Sequence, residues 1–271
     1  NLENIKNLRF DVIEISNNSK VRAKINKITL DLIGDISWPE HVSIFTVPVK
    51  FALAFNIPLI LWGENPQIEY GGPEKSLNNN ILDQAWMEEF GGLIGFRVSD
   101  LIDTYGFKNH ELEIYKYPSV DLLKEKSIKG IFLGYYEKWD SIRNYEVAKE
   151  NGFKEFKPEL EGCYFNFEKI DNFQHGIHDY FKFLKFGFAR ATDQLSYSIR
   201  RGLISRSDAI KLAPKIEGKY PNSYMGKSLE KILQKINVNE NEFMKISDNF
   251  TNKKIFKTNN LNELIKDKDN N

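Results

Sequence analysis

Two carboxylates and an amide follow a short apolar run in the first quarter of the chain. Ile57–Trp62 has the length of a buried strand, and Glu64, Asn65 and Glu69 come soon after it. In open α/β sheets ligands bind beyond the carboxyl ends of the strands, and Mg²⁺ is held by one or two carboxylates beside substrate oxygens. The pattern therefore indicates a magnesium and ligand site. The alternative is that Glu64 caps a turn and Trp62 packs in the core.

An imidazole stands at a predicted helix start. His41 ends the tetrapeptide WPEH, and the residues after it predict a helix over His41–Phe55 that contains Pro48. The amides of a helix N-terminus can bind an anion, and imidazole titrates near neutrality. His41 could thus act as an acid or base or orient a substrate group, with a capping or packing role as the alternative.

Charged residues are dense among aromatic residues between positions 175 and 206. His175 and His178 are three apart, but zinc would need further ligands that this segment does not clearly supply. The aromatic series predicts a helix that is buried on more than one side. Several guanidinium groups on one helical segment suit bidentate recognition of phosphate or carboxylate, with a solvated face as the alternative.

A second polar and aromatic loop follows the apolar run Ile128–Leu133. It contains Tyr135, Lys138 and Asp140. Because this loop and the one after Trp62 both follow short apolar strands, we expect them to line a shared cleft.

The spacing of apolar residues predicts strands and helices in alternation up to about residue 150. Such alternation favours βαβ units and a mostly parallel, doubly wound α/β sheet. The predicted strands are Phe10–Ile15, Pro58–Trp62 and Ile128–Leu133, and the predicted helices in this part are Ser19–Leu32 ended by Gly34, His41–Phe55, Leu82–Tyr105 and a stretch closed by Gly152.

The C-terminal half has a different character. The pattern predicts one long helix over Asn172–Ile199 and another over Ser205–Leu212, capped by Ser205 or Ser207. We therefore predict an α/β portion at 1–150, a mostly helical portion at 151–255 and a disordered tail at 256–271.

Composition bounds the class of protein. The 271 residues carry a formal net charge of +0 and are 41% hydrophobic, which suits a globular protein without a whole-chain field that would attract nucleic acid or an anionic membrane. The single cysteine, Cys163, excludes an internal disulfide framework. Because the chain also has neither a long apolar span nor a signal peptide, we expect a cytoplasmic protein that does not bind a membrane.

Several long motifs resemble a known family. ISWPEHVSIFTVPV, IPLILWGENPQIEYGG, FLGYYEKWDS and IHDYFKFLKFGFARATDQLSYSIRRGLISRSDAI resemble the N-acetyl sugar amidotransferases of lipopolysaccharide O-antigen synthesis and of pseudaminic acid modification of flagellin. The resemblance runs from Asn1 to about Phe250. It implies a bacterial ATP-pyrophosphatase of the PP-loop type, with a doubly wound α/β fold.

The resemblance also implies a reaction and its participants. ATP would adenylate the acetamido oxygen of a nucleotide-activated sugar with release of pyrophosphate, and ammonia from glutaminase and cyclase-like partner proteins would displace AMP to leave an acetamidino group. The implied catalytic residues are Glu64, Glu69 and His41, with Glu64 and Glu69 holding magnesium. The implied ATP contacts are Trp62, Gly63, Asn65, Tyr135 and Lys138, and the implied substrate contacts are Glu40, Lys182, Lys185, Arg190 and Arg200.

The sequence departs from the family at its start. Family members begin with a cysteine-containing segment and a PP-loop, and no such loop occurs between residues 1 and 271. We therefore expect an N-terminally truncated member that is inactive by itself. Two other hypotheses stay open, a non-catalytic subunit that docks a glutaminase and a tRNA-modifying PP-loop protein.

Overall fold

The computed structural model describes residues 1–63, 95–138 and 140–265. Four short strands occur in these ranges: β1 (Leu59–Trp62), β2 (Lys129–Phe132), β3 (Ser223–Tyr224) and β4 (Lys227–Ser228). The α-helices described are α1 (Leu2–Asn7), α2 (Ser19–Ile33), α3 (Trp38–Phe55), α4 (Val98–Tyr105), α5 (Val120–Glu125), α6 (Ser141–Glu150), α7 (His175–Phe186), α8 (Arg190–Arg200), α9 (Arg206–Ile216), α10 (Leu229–Gln234) and α11 (Glu240–Phe250). Two 3₁₀ helices cover Asn109–Tyr115 and Leu133–Tyr135.

The chain forms two compact units that interleave along the sequence. The outer unit consists of Asn1–Val12, Ala23–Ser37 and Ala148–Asn271, and the inserted unit consists of Ile13–Arg22 and Trp38–Val147. The sequence of the inserted unit thus interrupts that of the outer unit.

The inserted unit contains a parallel pair of strands. β1 pairs with β2 in a register that sets Leu59 opposite Lys129 and Trp62 opposite Phe132. This confirms the predicted strands at 58–62 and 128–133. Gly130 leaves room for the indole of Trp62, because a Cβ atom there would lie 2.7 Å from Trp62 Nε1. The doubly wound sheet as a whole, like the division at residues 150 and 255, stays a prediction.

Local signals in the sequence mark several helix ends correctly. α2 ends at Gly34, which takes a left-handed φ of +61° and donates its N–H to Leu30 O at 3.1 Å. Ser205 caps α9 by accepting the N–H of Asp208, as predicted. α3 begins at Trp38, three residues before the predicted start, because Pro39 fits the first turn of a helix.

Aromatic packing dominates the core of the outer unit. Phe181 of α7 and Phe243 of α11 are buried with their ring centroids 5.8 Å apart in an edge-to-face arrangement. Tyr224 and Leu233 belong to the same cluster. On another side of α7, Phe256 packs on Phe183 with ring centroids 5.4 Å apart. This packing confirms that α7 is buried on more than one side at Tyr180 and Phe181, with Phe183 half-buried, whereas Phe186 at its end is 59% exposed.

Two predicted elements are wrong. Phe10–Ile15 forms no strand, and Phe10 and Ile13 are 67% and 56% exposed. The predicted helix Asn172–Ile199 is two helices, because Gly187 ends α7 in a left-handed conformation with φ +77°. Of the predicted helix Leu82–Tyr105, residues 98–105 are helical and 82–94 lie outside the described residues.

Candidate functional site

The two predicted polar loops both begin at one edge of the sheet of the inserted unit. Trp62 and Phe132 are opposite each other in a parallel pair, so Gly63 and the Leu133–Lys138 segment both start at the carboxyl edge. Tyr135 is half-buried there and Lys138 is exposed. Glu64, Asn65 and Glu69, together with Trp139, lie outside the described residues.

His41 lies on α3 at the end that faces this carboxyl edge. One turn further along α3, the ring of Phe45 packs against the indole of Trp62 with centroids 5.7 Å apart. Because residues four apart share a helix face, His41 lies on the same side of α3 as Phe45. Glu40 forms an ion pair with Arg22 Nε at 2.6 Å. The roles assigned to His41 and Glu40 stay predictions.

The predicted substrate-binding cations belong to the outer unit, and three of them make strong contacts within it. Lys182 pairs with Asp193, and Lys185 donates to Ile33 O at 2.7 Å and to Gly34 O at 2.9 Å. Arg190 is buried beside Asp179, whereas Arg200 is exposed and lies over the ring of Tyr197. Their roles in substrate binding stay predictions.

A cavity of about 760 Å³ lies entirely within the outer unit. Its wall consists of residues from the loop at 159–166, from one side of α7, and from the segment 212–224, which comprises the end of α9 and the residues after it. This volume falls in the range of sites for small organic ligands. Four carboxylates line the cavity: Glu159, Glu161, Asp179 and Glu217.

Asp179 is one of two buried carboxylates in the wall of this cavity, the other being Glu217. The side chain is 7% exposed, and Oδ2 lies 3.6 Å from Nε of Arg190, which is itself 5% exposed. Burial raises the pKa of the Asp179 carboxyl, but the combined charges of Arg190, His178, Lys169 and His175 outweigh burial and hold the pKa below its ordinary value of 3.8. Asp179 is therefore ionised at neutral pH, and its Oδ1 has no hydrogen-bond partner among the described residues.

Two further carboxylates of the wall, Glu217 and Glu161, accept hydrogen bonds from the chain and stabilise the local structure. Glu217 accepts the N–H groups of Ala189 and Thr192 at 3.1 and 2.9 Å and the hydroxyl of Thr192 at 2.5 Å, so it caps the start of α8, where Ala189 cannot. Glu161 accepts the Ser223 hydroxyl at 2.9 Å and the Met225 N–H at 3.0 Å, which fixes the β3–β4 hairpin.

Tyr224 forms the part of the wall next to α7. Its hydroxyl donates to Lys169 O at 2.9 Å, and a Cβ atom on Gly176 would lie 2.7 Å from the Tyr224 ring. Glycine at position 176 therefore allows α7 to lie directly on the ring. The hairpin that presents Tyr224 turns through Met225 and Gly226, both at positive φ, as two-residue hairpin turns require.

Cys163 lines the same cavity and is expected to be unreactive. Burial, with the Asp179 carboxylate adding to it, raises the pKa of the thiol from 9.0 to about 12. At pH 8 we therefore expect the folded protein to react with Ellman's reagent roughly a thousandfold more slowly than the urea-unfolded chain, followed by absorbance. A folded-state rate within about tenfold of the unfolded rate would contradict this assignment.

Sequence reasoning did not select this cavity. Asp179 had no usable signal, since it lies on the side of α7 opposite to Ile177 and Leu184, which predicts an exposed acid. Glu217 and Tyr224 also had no sequence signal, because each forms its hydrogen bonds with a segment distant in sequence.

Comparison with known proteins links the cavity to a described domain family. Residues 150–268, just under half of the chain, match the family model described as LPS biosynthesis protein WbpG-like, C-terminal domain. No curated protein matches the chain. The matched range contains the whole cavity wall and supports a role in lipopolysaccharide biosynthesis.

The described residues contain neither a cluster of metal ligands nor a membrane-spanning helix. Over residues 1–63, 95–138 and 140–265, no group of three or more His, Cys, Asp or Glu side chains could hold a metal ion. Within the same ranges, every helix is too short or too polar to cross a bilayer.

Proposed function

We propose that the protein is an ATP-dependent amidotransferase that converts the acetamido group of a nucleotide-activated sugar into an acetamidino group during surface polysaccharide synthesis. The observation that carries the proposal is the match of residues 150–268 to a domain of lipopolysaccharide biosynthesis proteins. The motif resemblance, which extends through both units, supports the finer assignment.

The reaction needs ATP because an amide is a poor electrophile. Transfer of AMP to the acetamido oxygen releases pyrophosphate and makes that oxygen part of a leaving group; ammonia then adds to the carbon and AMP departs, which leaves the amidine. Trp62 and Tyr135, at one edge of the sheet, offer aromatic surface for the nucleotide. His41, on α3 at the same edge, would move the proton in this proposal.

The magnesium assignment rests on residues that are not described. Glu64 and Glu69 are hard oxygen donors of the kind that holds Mg²⁺ beside phosphate. When bound there, the ion would stabilise the phosphate charge.

The first test is made in cells that lack the full gene. We expect their nucleotide sugars, separated by mass spectrometry, to lack the acetamidino form and to accumulate the acetamido precursor. The wild-type gene should restore the product, as should Lys211→Ala, which changes a side chain that is 74% exposed. An unchanged acetamidino pool in the deletion strain would refute the proposal.

Complementation with Glu64→Gln and Glu69→Gln then separates an enzyme from a scaffold. A catalytic role predicts a loss of at least about 100-fold in amidine formation, because each change removes a charge from the transition state. Full complementation by both variants would instead support the non-catalytic subunit.

A further inference from the structure

The end of α7 and the segment that follows α11 together form an exposed apolar patch. Its members Phe186, Phe188 and Ile255 are 59%, 39% and 51% exposed. The rings of Phe186 and Phe188 have their centroids 6.3 Å apart. Ile255 packs against Gly187, the residue between them, since a Cβ atom there would lie 3.1 Å from Ile255 Cγ2. Large apolar side chains that are exposed together indicate an interaction surface.

Contacts within the outer unit anchor the backbone under this apolar patch. Asn252 donates its backbone N–H to Leu184 O at 2.9 Å and its side-chain amide to Lys185 O at 3.1 Å. It thus satisfies carbonyl groups at the end of α7. Phe256 packs on Phe183 with ring centroids 5.4 Å apart. The segment after α11 is therefore fixed on α7, and its next apolar residue, Ile255, is presented to solvent.

Positive charge accompanies the apolar patch. Three exposed lysines flank Ile255 in the sequence: Lys253, Lys254 and Lys257. No acidic residue occurs from position 249 to position 262. A fourth cation, Lys182, lies 4.9 Å from the ring centroid of Phe188, but its charge is balanced by Asp193. The three flanking lysines therefore give this surface a local positive charge.

Apolar side chains beside lysines fit the surface of an anionic lipid bilayer. Phenylalanine and isoleucine side chains enter the boundary between headgroups and acyl chains, while lysine side chains extend to the phosphate groups. Nucleic acid also binds lysines and aromatic rings, but its bases stack on planar groups, and Ile255 offers none. We propose that the apolar patch and its three lysines bind the surface of an anionic phospholipid bilayer.

This contact goes beyond the proposed function and differs from the expectation that composition gave. The net charge of the whole chain is +0, which predicted no membrane binding. The attraction of a lysine to anionic lipid acts only within about one Debye length, roughly 8 Å at physiological ionic strength. Local charge at the patch therefore determines binding, and the balance over the rest of the chain does not.

Sedimentation of the 271-residue chain with lipid vesicles tests the charged part of this surface. Vesicles of equal parts phosphatidylglycerol and phosphatidylethanolamine should bind the chain at least about tenfold more strongly than vesicles of phosphatidylcholine. Lys254→Gln/Lys257→Gln should weaken binding to the anionic vesicles at least about tenfold, because each lysine near such a surface contributes roughly fivefold. Lys253 is kept, since its Nζ donates to Asn262 O at 2.9 Å.

The control for this pair is Lys231→Gln/Lys235→Gln, which removes the same charge from two exposed lysines of the outer unit. They belong to the segment 211–254, which is described throughout and exposes no large apolar side chain. We expect the control to change binding less than about threefold.

Phe186→Ser tests the apolar contact, and Leu203→Ser is its control, because both side chains are 59% exposed and Leu203 lies in the turn between α8 and α9. Phe186→Ser should weaken binding at least about fivefold, since the bound ring is removed from water, and Leu203→Ser less than about twofold. Circular dichroism checks that each variant is folded. Ile255→Ser replaces Phe186→Ser if the latter does not fold.

Three results would overturn the proposal. One is that anionic vesicles do not bind the chain. Another is that both lysine pairs lose binding equally, which would show a response to net charge alone. The third is that Phe186→Ser binds like the wild type while Lys254→Gln/Lys257→Gln does not, which would indicate a surface for a polyanion such as nucleic acid or an acidic protein. None of these measurements depends on the nucleotide sugar, so their outcome is separate from that of the proposed function.

Discussion

Arg190→Met is expected to lower the free energy of unfolding by about 3–5 kcal/mol. Arg190 and Asp179 are 5% and 7% exposed, and removal of the guanidinium leaves the carboxylate buried without its counter-charge. The loss should therefore reflect the unpaired charge more than the missing attraction. Urea unfolding followed by circular dichroism measures the loss. Tryptophan fluorescence is less suitable, because all four tryptophans lie between residues 38 and 147, in the sequence of the inserted unit, whereas Arg190 belongs to the outer unit.

The double variant Asp179→Leu/Arg190→Met is the control for this prediction. An apolar pair of similar volume removes both charges at once, and such replacements of buried ion pairs are often close to neutral. We expect the double variant to be more stable than Arg190→Met alone. Equal destabilisation of the two would show that packing of the Arg190 side chain, rather than charge, determines the loss.

Gly34→Ala is expected to cost about 2–4 kcal/mol, the sum of a left-handed backbone penalty and an overpacked contact. At Gly34, φ is +61°, and a Cβ atom would lie 2.8 Å from Phe250 Cγ and 2.9 Å from Lys185 Cε. Both neighbours are held in place, since Lys185 also donates to Gly34 O and packs on the Phe250 ring. Urea unfolding measures the cost.

Gly202→Ala separates the two contributions to the Gly34 prediction. Gly202 has φ +73°, but nothing lies within 4 Å of a Cβ atom there. This variant should lose about 1–2 kcal/mol, which is the backbone penalty alone. If Gly34→Ala costs no more than Gly202→Ala, then Phe250 and Lys185 yield to the methyl group and the close approach carries no energy.

Signals that act within a few residues allowed correct predictions from the sequence. Gly34 and Ser205 end and begin helices through their own backbone and side-chain chemistry, which is why both boundaries could be predicted. The same holds for the strands at 58–62 and 128–133, whose length and apolar character are local. That they pair in parallel followed from the helical segments between them.

Features that depend on a distant partner were missed or wrong. Phe10–Ile15 alternates like a strand, but a strand also needs a neighbour for its backbone groups, and alternation does not supply one. The break at Gly187 depends partly on Asn252, which donates to Leu184 O at 2.9 Å and to Lys185 O at 3.1 Å. Asn252 is distant in sequence from the helix end that it stabilises.

The candidate sites also include one feature that local signals could predict and one that they could not. That the chain leaves β1 and β2 at the same edge of the sheet was predictable because the two strands are parallel. The cavity was not, since Glu217, Tyr224 and Asp179 meet only when α7, α8 and the β3–β4 hairpin pack together.

The interleaving of the two units sets an order of events on the ribosome. Residues 23–37 supply Leu30 and Ile36 to the core of the outer unit, and Asp35 to a side-chain contact with His178 Nδ1 at 3.0 Å. The 110 residues 38–147 are made before any of the later stretch emerges, a delay of roughly 6–20 seconds at ordinary elongation rates. During this time the nascent segment around Leu30 lacks the residues from 148 onward that cover it in the folded protein. The inserted unit can therefore fold before the outer unit.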